Sequence, residues 1–289
     1  MANSTSKFGL VLEGGGMRGI YTAGVLDVFM ENDITFDGVI GVSAGAIHGG
    51  SYVSQQKGRN LRYYKKYCMD KRFISISNLL KTGDIVGEEF CYHTIPDMLD
   101  LFDYDTFRNS RTKFYCGCSN VRTGKAEYLP IEDMHRDIEV MRASASLPYF
   151  SRLVDINGEK YLDGGCTDSV PVEAFQKMGY NHNVVVLTRD NSYVKKEELS
   201  LLPKIMYRKY PEFAKALLNR HNNYNSTIKR ICEMERNGEI FVIRPEHPLN
   251  IGRLEKDPEK LQIIYNIGVR DAEKTMEAMK KWMNEKKSV

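Results

Sequence analysis

The apolar positions of the first fifty residues alternate between short continuous runs and helical spacing. Residues 8–12 form one run and residues 39–42 form another, and the segment from Ile20 to Met30 between them has apolar residues at near-helical spacing. Apolar strands that alternate with helices are typical of a parallel sheet covered on both faces. We therefore expect an α/β fold.

The pattern changes further along the chain. Residues 51–107 favour helices, and strand character returns at 114–121, followed by a turn at 122–125 and a second strand. Asn157-Gly158 favours a two-residue type I′ turn between strands at 152–156 and 159–162. Residues 183–188 and 240–245 predict two further buried strands. Between them, residues 199–236 predict two or three helices broken at Pro203 and Pro211, and a terminal helix spans about 258–286.

The late position of the last strand bears on domain organisation. A strand that follows the helical segment indicates that the sheet is completed late in the chain. We therefore predict one domain over residues 1–289. Its core comprises about 8–190 together with the late strand and helix at 239–286, and a helical insertion spans about 195–236.

Composition narrows the class of protein. The net charge of +3 over 289 residues is too small to suggest nucleic acid as the main partner. Six cysteines do not make a disulfide scaffold in a chain of this length, and Cys116 and Cys118 lack the second pair that a zinc site needs. No segment approaches the roughly 18 apolar residues of a membrane span, and no signal peptide is visible. We expect a cytoplasmic protein with reduced cysteines.

The segment Gly41-Val42-Ser43-Ala44-Gly45 is the strongest candidate for chemistry. It places a serine between glycines, directly after an apolar strand and before a helix. In that context G-x-S-x-G describes a nucleophile elbow, a strained turn that exposes the hydroxyl at a helix N-terminus. The alternative is a plain tight turn.

A glycine loop follows the first strand and contains Gly14, Gly15 and Gly16, with Arg18 after them. Successive glycines let backbone N–H groups point into one concavity, which suits an oxyanion hole. Gly14, Gly16 and Gly19 also satisfy the dinucleotide pattern G-x-G-x-x-G. That alternative needs an acidic residue near the end of the second strand, but Asp37, the nearest acid, precedes that strand. The oxyanion hole is therefore favoured.

Two further segments belong to the candidate site. Asp163 directly follows the second strand of the predicted hairpin and precedes two glycines. It is therefore either a turn residue or a carboxylate placed close to another group. Residues 143–150, with the sequence ASASLPYF, combine small residues with a helix that must end at or before Pro148. We interpret this segment as support for the site and as a candidate wall of an acyl pocket.

These four motifs, in this order, resemble those of the patatin-like phospholipases. The matching pieces are GGGMRG, GVSAG, ASASLPYF and DGG, within residues 8–190. The resemblance implies a three-layer α/β/α fold with a mainly parallel sheet and a helical insertion. It also implies a lipid acyl hydrolase that acts on a phospholipid, a lysophospholipid or another fatty acyl ester, with neither metal nor cofactor. Where the family often has asparagine before the proline that follows DGG, this chain has Ser169-Val170-Pro171.

The same resemblance assigns roles to individual residues. Ser43 would be the nucleophile and Asp163 its partner in a dyad. The N–H groups of Gly14, Gly15 and Gly16 would form the oxyanion hole, with Arg18 ordering the loop or touching the anion. A histidine is then not required, and His48 lies about 140° around the helix from Ser43. Two alternatives stay open: a catalytically silent patatin-like protein that binds lipid or a regulator, and a nucleotide-binding α/β protein.

Two segments are candidates for contact with a membrane or with the acyl chain. Basic residues crowd the segment 57–72 and are interleaved with Tyr63, Tyr64 and Tyr67. A cationic aromatic face could dock on anionic headgroups at the inner membrane face, although a solvated helix face is the favoured interpretation. The segment 201–224 is a candidate lid or acyl-chain cover.

Overall fold

The computed structural model describes residues 7–197 and 201–287, so predictions that touch residues 1–6, 198–200 and 288–289 lie outside it. Within these ranges, eight strands form one sheet: β1 (Phe8–Leu12), β2 (Gly38–Val42), β3 (Lys113–Asn120), β4 (Lys125–Ile131), β5 (Val154–Ile156), β6 (Glu159–Asp163), β7 (His182–Val186) and β8 (Phe241–Ile243).

Helices surround the sheet in the same ranges. They are α1 (Ile20–Glu31), α2 (Ala44–Val53), α3 (Arg59–Tyr67), α4 (Ile76–Thr82), α5 (Tyr104–Asn109), α6 (Ile138–Ala145), α7 (Val172–Lys177), α8 (Leu202–Met206), α9 (Pro211–Leu218), α10 (Arg220–Arg236) and α11 (Pro258–Lys287). Short 3₁₀ turns at Gly16–Gly19 and Gly164–Cys166 and a π-helix at Phe90–Leu99 complete the elements.

The sheet is mainly parallel, as the sequence predicts. Its order is β5-β6-β3-β2-β1-β7-β8, with β4 also paired to β3. The five strands from β3 to β8 in this order run parallel, whereas β4, β5 and β6 add antiparallel pairs at one side. The late strand β8 pairs with β7, placing Phe241 opposite Val184. The division of the chain into a core and an insertion within one domain stays a prediction.

Alternating side chains of the central strands build two cores, one on each face. Leu10 and Val184 join the larger core, to which α1, α2 and α11 contribute, and Val11 and Val185 join the second core. That second core includes side chains of α7 and α10. Because both faces of the sheet carry helices, the predicted three-layer α/β/α fold is confirmed.

Helices α1 and α11 pack at a distance that only glycine permits. A Cβ at Gly24 would lie 2.2 Å from the carbonyl oxygen of Tyr265, and one at Gly268 would lie 2.1 Å from that of Tyr21. The long terminal helix is therefore held directly against the first helix of the fold, beside the glycine loop that precedes α1.

Local turn chemistry agrees with the sequence at two places. Asn157 and Gly158 have φ of 54° and 85°, as a type I′ turn requires, and join β5 to β6. The helices of the segment are separated at the predicted prolines, because Pro203 and Pro211 lie in the first turns of α8 and α9. The first turn of a helix leaves its N–H groups unbonded, so proline starts a helix without losing a hydrogen bond.

Candidate active site

Ser43 lies in the sharp turn between β2 and α2. Its φ of 55° and ψ of −123° are a strained combination for a residue with a side chain. A Cβ at Gly41 would lie 2.5 Å from the amide nitrogen of Ala46, and one at Gly45 would lie 2.5 Å from the carbonyl oxygen of Leu12. The two glycines of G-x-S-x-G are therefore required by the close approach of backbone on both sides of the serine.

Asp163 reaches Ser43 because β2 and β6 share one edge of β3. The parallel strand β2 pairs with the first half of β3 and ends with Val42 opposite Gly117. The antiparallel strand β6 pairs with the second half and ends with Asp163 opposite Cys118. The two strands thus meet end to end, and the residues at their meeting point are Ser43 and Asp163.

The Asp163 carboxyl is buried, with 4% of the residue exposed. Burial raises the pKa of this carboxyl, and a hydrogen bond from the Ser43 side chain, the charge of Arg220 and the N–H of Gly165 all oppose that rise. The Gly165 N–H donates to Oδ1 over 2.7 Å. The carboxyl is therefore a stronger base than an exposed aspartate, while nearby donors and a cation favour its ionised form.

The segment 143–150 holds both residues in place. Ser144 is fully buried at the end of α6, and its Oγ accepts the Ser43 N–H over 3.0 Å while donating to the Gly117 carbonyl over 2.7 Å. Two residues on, the Ser146 carbonyl accepts the Asp163 N–H over 2.8 Å. Sequence reasoning treated this segment as support for the site without identifying these hydrogen bonds.

The glycine loop lies against the elbow. The Gly14 N–H donates to the Ser169 carbonyl over 3.4 Å, whereas no acceptor for the Gly15 or Gly16 N–H occurs among the described residues. Gly16 adopts a φ of 58°, and a Cβ there would lie 2.8 Å from the carbonyl oxygen of Arg253. Two free N–H groups in such a loop can donate hydrogen bonds to an oxyanion.

A mainly apolar cavity opens beside Ser43, with about 1030 Å³ of empty space, its mouth included. Large side chains line it, namely Ile47 of α2, Tyr64 of α3, Ile95 of the π-helix and Met141 of α6, together with Phe73 and Met134 from the connecting segments. Ala145 and Leu147 of the segment 143–150 also line this cavity. Its size and lining suit a hydrocarbon chain.

A second, polar pocket adjoins Ser43 and Asp163 on another side. Its lining includes five cationic side chains: Arg18, Arg189, Lys195, Arg220 and Arg253. Arg18 was expected near the site from its loop, but the other four come from three later segments, with Arg189 and Lys195 in the one after β7, and follow no motif. Sequence reasoning missed them, and no local signal could have found them.

No histidine occurs among the described residues that line either cavity. His48 is fully buried, packs against Tyr64, and has its pKa lowered to about 4 by that burial. His182 lies between Phe8 and Trp282, and His135 packs on Tyr104. The geometry thus brings Ser43 together with a carboxyl and not with an imidazole.

Two expectations about the surroundings of the site need correction. Helix α3 turns Tyr63, Tyr64 and Tyr67 inward, and the first two line the apolar cavity. Its outer face is therefore cationic without exposed aromatic rings, because an amphipathic helix buries its apolar side. Contact with a membrane stays a prediction.

The insertion does not cover the apolar cavity. None of its described residues lines that cavity, and its side chains Tyr207 and Phe213 pack instead around Leu162 and Cys166. Arg220 donates a hydrogen bond to the Gly165 carbonyl, and Tyr224 lines the polar pocket. The insertion is therefore a wall of the polar pocket, because its apolar face is occupied by the β6 hairpin.

Three further observations concern metal binding, disulfides and membrane spans. No cluster of three metal-ligating side chains occurs within 7–197 and 201–287. The six cysteines are free thiols. In the same ranges, no helix is both long and apolar enough to cross a bilayer.

Comparison with known families covers most of the chain. A family model described as patatin-like phospholipase matches residues 10–175, which is more than half of the 289 residues and contains Gly14, Gly15, Gly16, Arg18, Ser43 and Asp163. A second model, described as a domain of unknown function (DUF6363), matches residues 210–284.

Individual proteins are similar to parts of this chain. The uncharacterised protein YjjU of Escherichia coli is 31% identical over 188 residues, which cover 63% of this chain and 52% of that protein. The lysophospholipase NTE1 of Candida albicans is 29% identical over 189 residues, which cover 63% of this chain but 13% of the yeast protein. The chain thus spans about half the length of one relative and a small part of the other. Among solved structures, VipD from Legionella pneumophila aligns with a TM-score of 0.47 and 14% identity, covering 94% of this chain and 67% of that chain.

Proposed function

Because this chain belongs to the patatin-like phospholipase family, we propose that it is a lipid acyl hydrolase in which Ser43 is the nucleophile and Asp163 its base. The observation that supports this proposal most is the meeting of β2 and β6 on β3, which brings the Ser43 side chain close to the Asp163 carboxyl. Both residues also border the loop whose Gly15 and Gly16 N–H groups lack acceptors among the described residues.

Acylation begins with proton transfer from Ser43 to Asp163. As the Oγ–H bond breaks, Oγ attacks the ester carbonyl, and the carbonyl oxygen becomes an oxyanion held by the N–H groups of Gly15 and Gly16. Collapse of this intermediate breaks the bond to the leaving alcohol, which takes the proton back from Asp163. The products of this step are a free alcohol and an ester of Ser43.

Deacylation repeats these steps with water. Asp163 accepts a proton from water, whose oxygen attacks the acyl-Ser43 carbonyl, and Ser43 leaves with that proton. Burial of Asp163 favours both steps, because a carboxyl with a raised pKa is a better base near neutral pH. The ionised form survives this burial through donors from Ser43 and Gly165 and through the charge of Arg220.

The acyl part of the substrate follows from the apolar cavity. Ser43 forms part of its wall, so an acyl group attached to Oγ can extend its chain past Ile47 toward Met134 and Met141. A long fatty acyl ester therefore fits the site better than a short polar ester. Phospholipids and lysophospholipids are the substrate classes that we propose.

Hydrolysis by three variants tests the proposal. Purified wild type should hydrolyse a chromogenic fatty acyl ester and a lysophospholipid, and Ser43→Ala and Asp163→Asn should each lose at least about three orders of magnitude in kcat. Asp168→Asn is a matched control, because Asp168 is a partly buried aspartate five residues on that contacts Tyr128 instead of Ser43. It should keep the wild-type rate.

The outcomes separate the proposal from its alternatives. Full activity of Ser43→Ala or Asp163→Asn would exclude the dyad. A folded wild type that binds a fatty acid but hydrolyses neither ester would instead be a catalytically silent lipid-binding protein.

A further inference from the structure

The polar pocket beside Ser43 has an excess of positive charge. Five cationic side chains line it, namely Arg18, Arg189, Lys195, Arg220 and Arg253, against two carboxylates, Glu13 and Asp163. Among the residues that the structure describes, none of the five cations forms a salt bridge. Cations gathered without salt-bridge partners indicate a site for an anion.

The two carboxylates compensate only part of this charge, because five cations face two anions. Glu13 accepts hydrogen bonds from the Thr188 N–H and hydroxyl at one oxygen and from the Tyr224 hydroxyl, over 2.8 Å, at the other. Asp163 is engaged by Ser43 and by the Gly165 N–H. Both carboxylates thus have polar partners of their own, and the guanidinium and ammonium groups are left to face the pocket.

Arg18 makes the need for a partner most evident. Only 6% of this residue is exposed, and its Nε has no hydrogen-bond acceptor among the described residues. Burial lowers the pKa of Arg18 to about 10, and the charges of Arg189 and Arg253 act in the same direction. A buried guanidinium with a free donor, surrounded by like charges, is stabilised when an anion binds.

The aromatic side chains of the pocket are already covered by cations. The Arg189 guanidinium lies 4.0 Å from the ring centroid of Tyr193, and the Lys195 Nζ lies 4.8 Å from that of Tyr224. A quaternary ammonium group is bound by free aromatic faces, which this pocket does not present among its described residues. The pocket therefore disfavours a choline head group and favours a doubly charged anion.

The two cavities meet at the proposed nucleophile. Gly16, Ser43, Leu147 and Arg253 line both the apolar cavity and the polar pocket. An ester bound at Ser43 can therefore place its acyl chain in the apolar cavity and its alcohol portion among the cations. Arg253, at the boundary, lies where the glycerol part of such an ester would pass.

We propose that the polar pocket is a phosphate subsite, and that the preferred substrates are monoacyl glycerophosphates with a terminal phosphomonoester, in preference to choline-bearing or uncharged esters. This inference rests on the proposed hydrolase function for its orientation relative to Ser43. A phosphomonoester carries close to two negative charges at neutral pH, and arginine forks bind its oxygens in pairs. A phosphodiester bears one negative charge, so it compensates less of the positive charge of the five cations.

Lys195 supplies an independent signature of anion binding. Burial and the charges of Arg220, Arg253 and Arg18 together lower its pKa to about 7, against the opposing charge of Glu13. A dianion in the pocket acts in the direction of Glu13 and raises the pKa of Lys195. Binding above pH 7 should therefore take up a proton, which calorimetry in buffers of different ionisation enthalpy measures.

Ether-linked analogues test the subsite without requiring turnover. Two lysolipids with the same alkyl chain, one with a phosphomonoester head and one with a phosphocholine head, are titrated into wild type below their micelle concentrations. The phosphomonoester should bind at least about tenfold tighter. Arg189→Gln and Lys195→Met, both at partly exposed positions, should remove most of that difference.

A matched variant controls for general charge loss. Arg230→Gln removes an arginine from the surface of α10, the helix that contains Arg220, where it pairs with Glu173. It should leave both affinities unchanged. Thermal melting of each variant shows that a lost preference does not reflect an unfolded protein.

The other outcomes of these titrations separate the phosphate subsite from the hydrolase function. Equal affinity for the two heads, or a preference that survives both Arg189→Gln and Lys195→Met, would overturn the subsite. Inorganic phosphate that binds as tightly as the phosphomonoester lipid would make the pocket a free-phosphate site and would likewise overturn it. Head-group preference without hydrolysis of any ester would retain the subsite and refute the hydrolase, and hydrolysis without preference would do the reverse.

Discussion

Replacing Ser144 with alanine should weaken both the fold and the elbow. Its buried Oγ accepts the Ser43 N–H over 3.0 Å and donates to the Gly117 carbonyl over 2.7 Å. Without it, the Ser43 N–H loses its acceptor in a region closed to water. A buried donor left unpaired costs about 1–3 kcal/mol, and a carbonyl with two lone pairs tolerates the loss of one donor better. We therefore expect Ser144→Ala to lower the free energy of unfolding by about 1–3 kcal/mol.

The catalytic effect has the same origin. Ser43 holds a φ of 55°, and such strained backbone persists only where its surroundings maintain it. Loss of the Ser144 bond should let the elbow relax, and a shift of the nucleophile that costs about 1.4 kcal/mol in the transition state lowers kcat about tenfold. Hydrolysis of a chromogenic ester and the urea midpoint measure the two effects in the same preparation.

Ser146→Ala is the matched control for this prediction. It also removes a serine hydroxyl, two residues further along the chain. The Ser146 hydroxyl donates to the Arg142 carbonyl of α6, so its loss leaves no buried N–H unpaired. Its loss should cost less than about 1 kcal/mol. Equal urea midpoints and equal rates for Ser144→Ala and Ser146→Ala would refute the role given to the Ser144 hydroxyl.

One pH profile and three substitutions test the proposed base, the elbow and the apolar cavity. Burial raises the pKa of the Asp163 carboxyl above its ordinary 3.8, and a base must be ionised. The rate of ester hydrolysis should therefore rise with pH around a midpoint above 3.8. Because the folded state binds this proton more tightly than the unfolded chain, Asp163→Asn should melt at or above the wild-type temperature at pH 7. Gly45→Ala would bring a Cβ within 2.5 Å of the Leu12 carbonyl oxygen and should cost at least about 3 kcal/mol in urea unfolding, whereas Gly252→Ala meets no atom within 4 Å and should be neutral. Gly50→Leu projects into the apolar cavity and should lower the rate on palmitoyl esters at least about tenfold relative to butyryl esters; an unchanged chain-length profile would place the acyl group elsewhere.

Local patterns were sufficient for the parts of the site that depend on local backbone. The strand, turn and helix around Ser43 follow from an apolar run and two glycines, and the hairpin that ends at Asp163 follows from Asn157-Gly158. Their meeting is not a local property. It arises because β2 and β6 occupy successive halves of one edge of β3, and only the assembled sheet contains that relation.

Long-range packing also explains the site residues that the sequence does not predict. Arg189, Lys195, Arg220 and Arg253 come from three segments of the chain, and each alone has the pattern of a surface cation. The tyrosines of α3 look like part of a cationic aromatic face in sequence, but the helix turns them into the apolar cavity. Which side of an element faces a cavity depends on long-range packing, which composition and spacing do not encode.

The rate and position of fluorophosphonate labelling test the Ser43–Asp163 dyad most directly. Labelled protein is digested and the adduct located by mass spectrometry, in wild type and in Asp163→Asn. We expect one adduct, on Ser43, at a rate that rises as the Asp163 carboxyl ionises and that falls at least about a hundredfold in Asp163→Asn. An adduct on another residue, or labelling of Asp163→Asn at the wild-type rate, would contradict it.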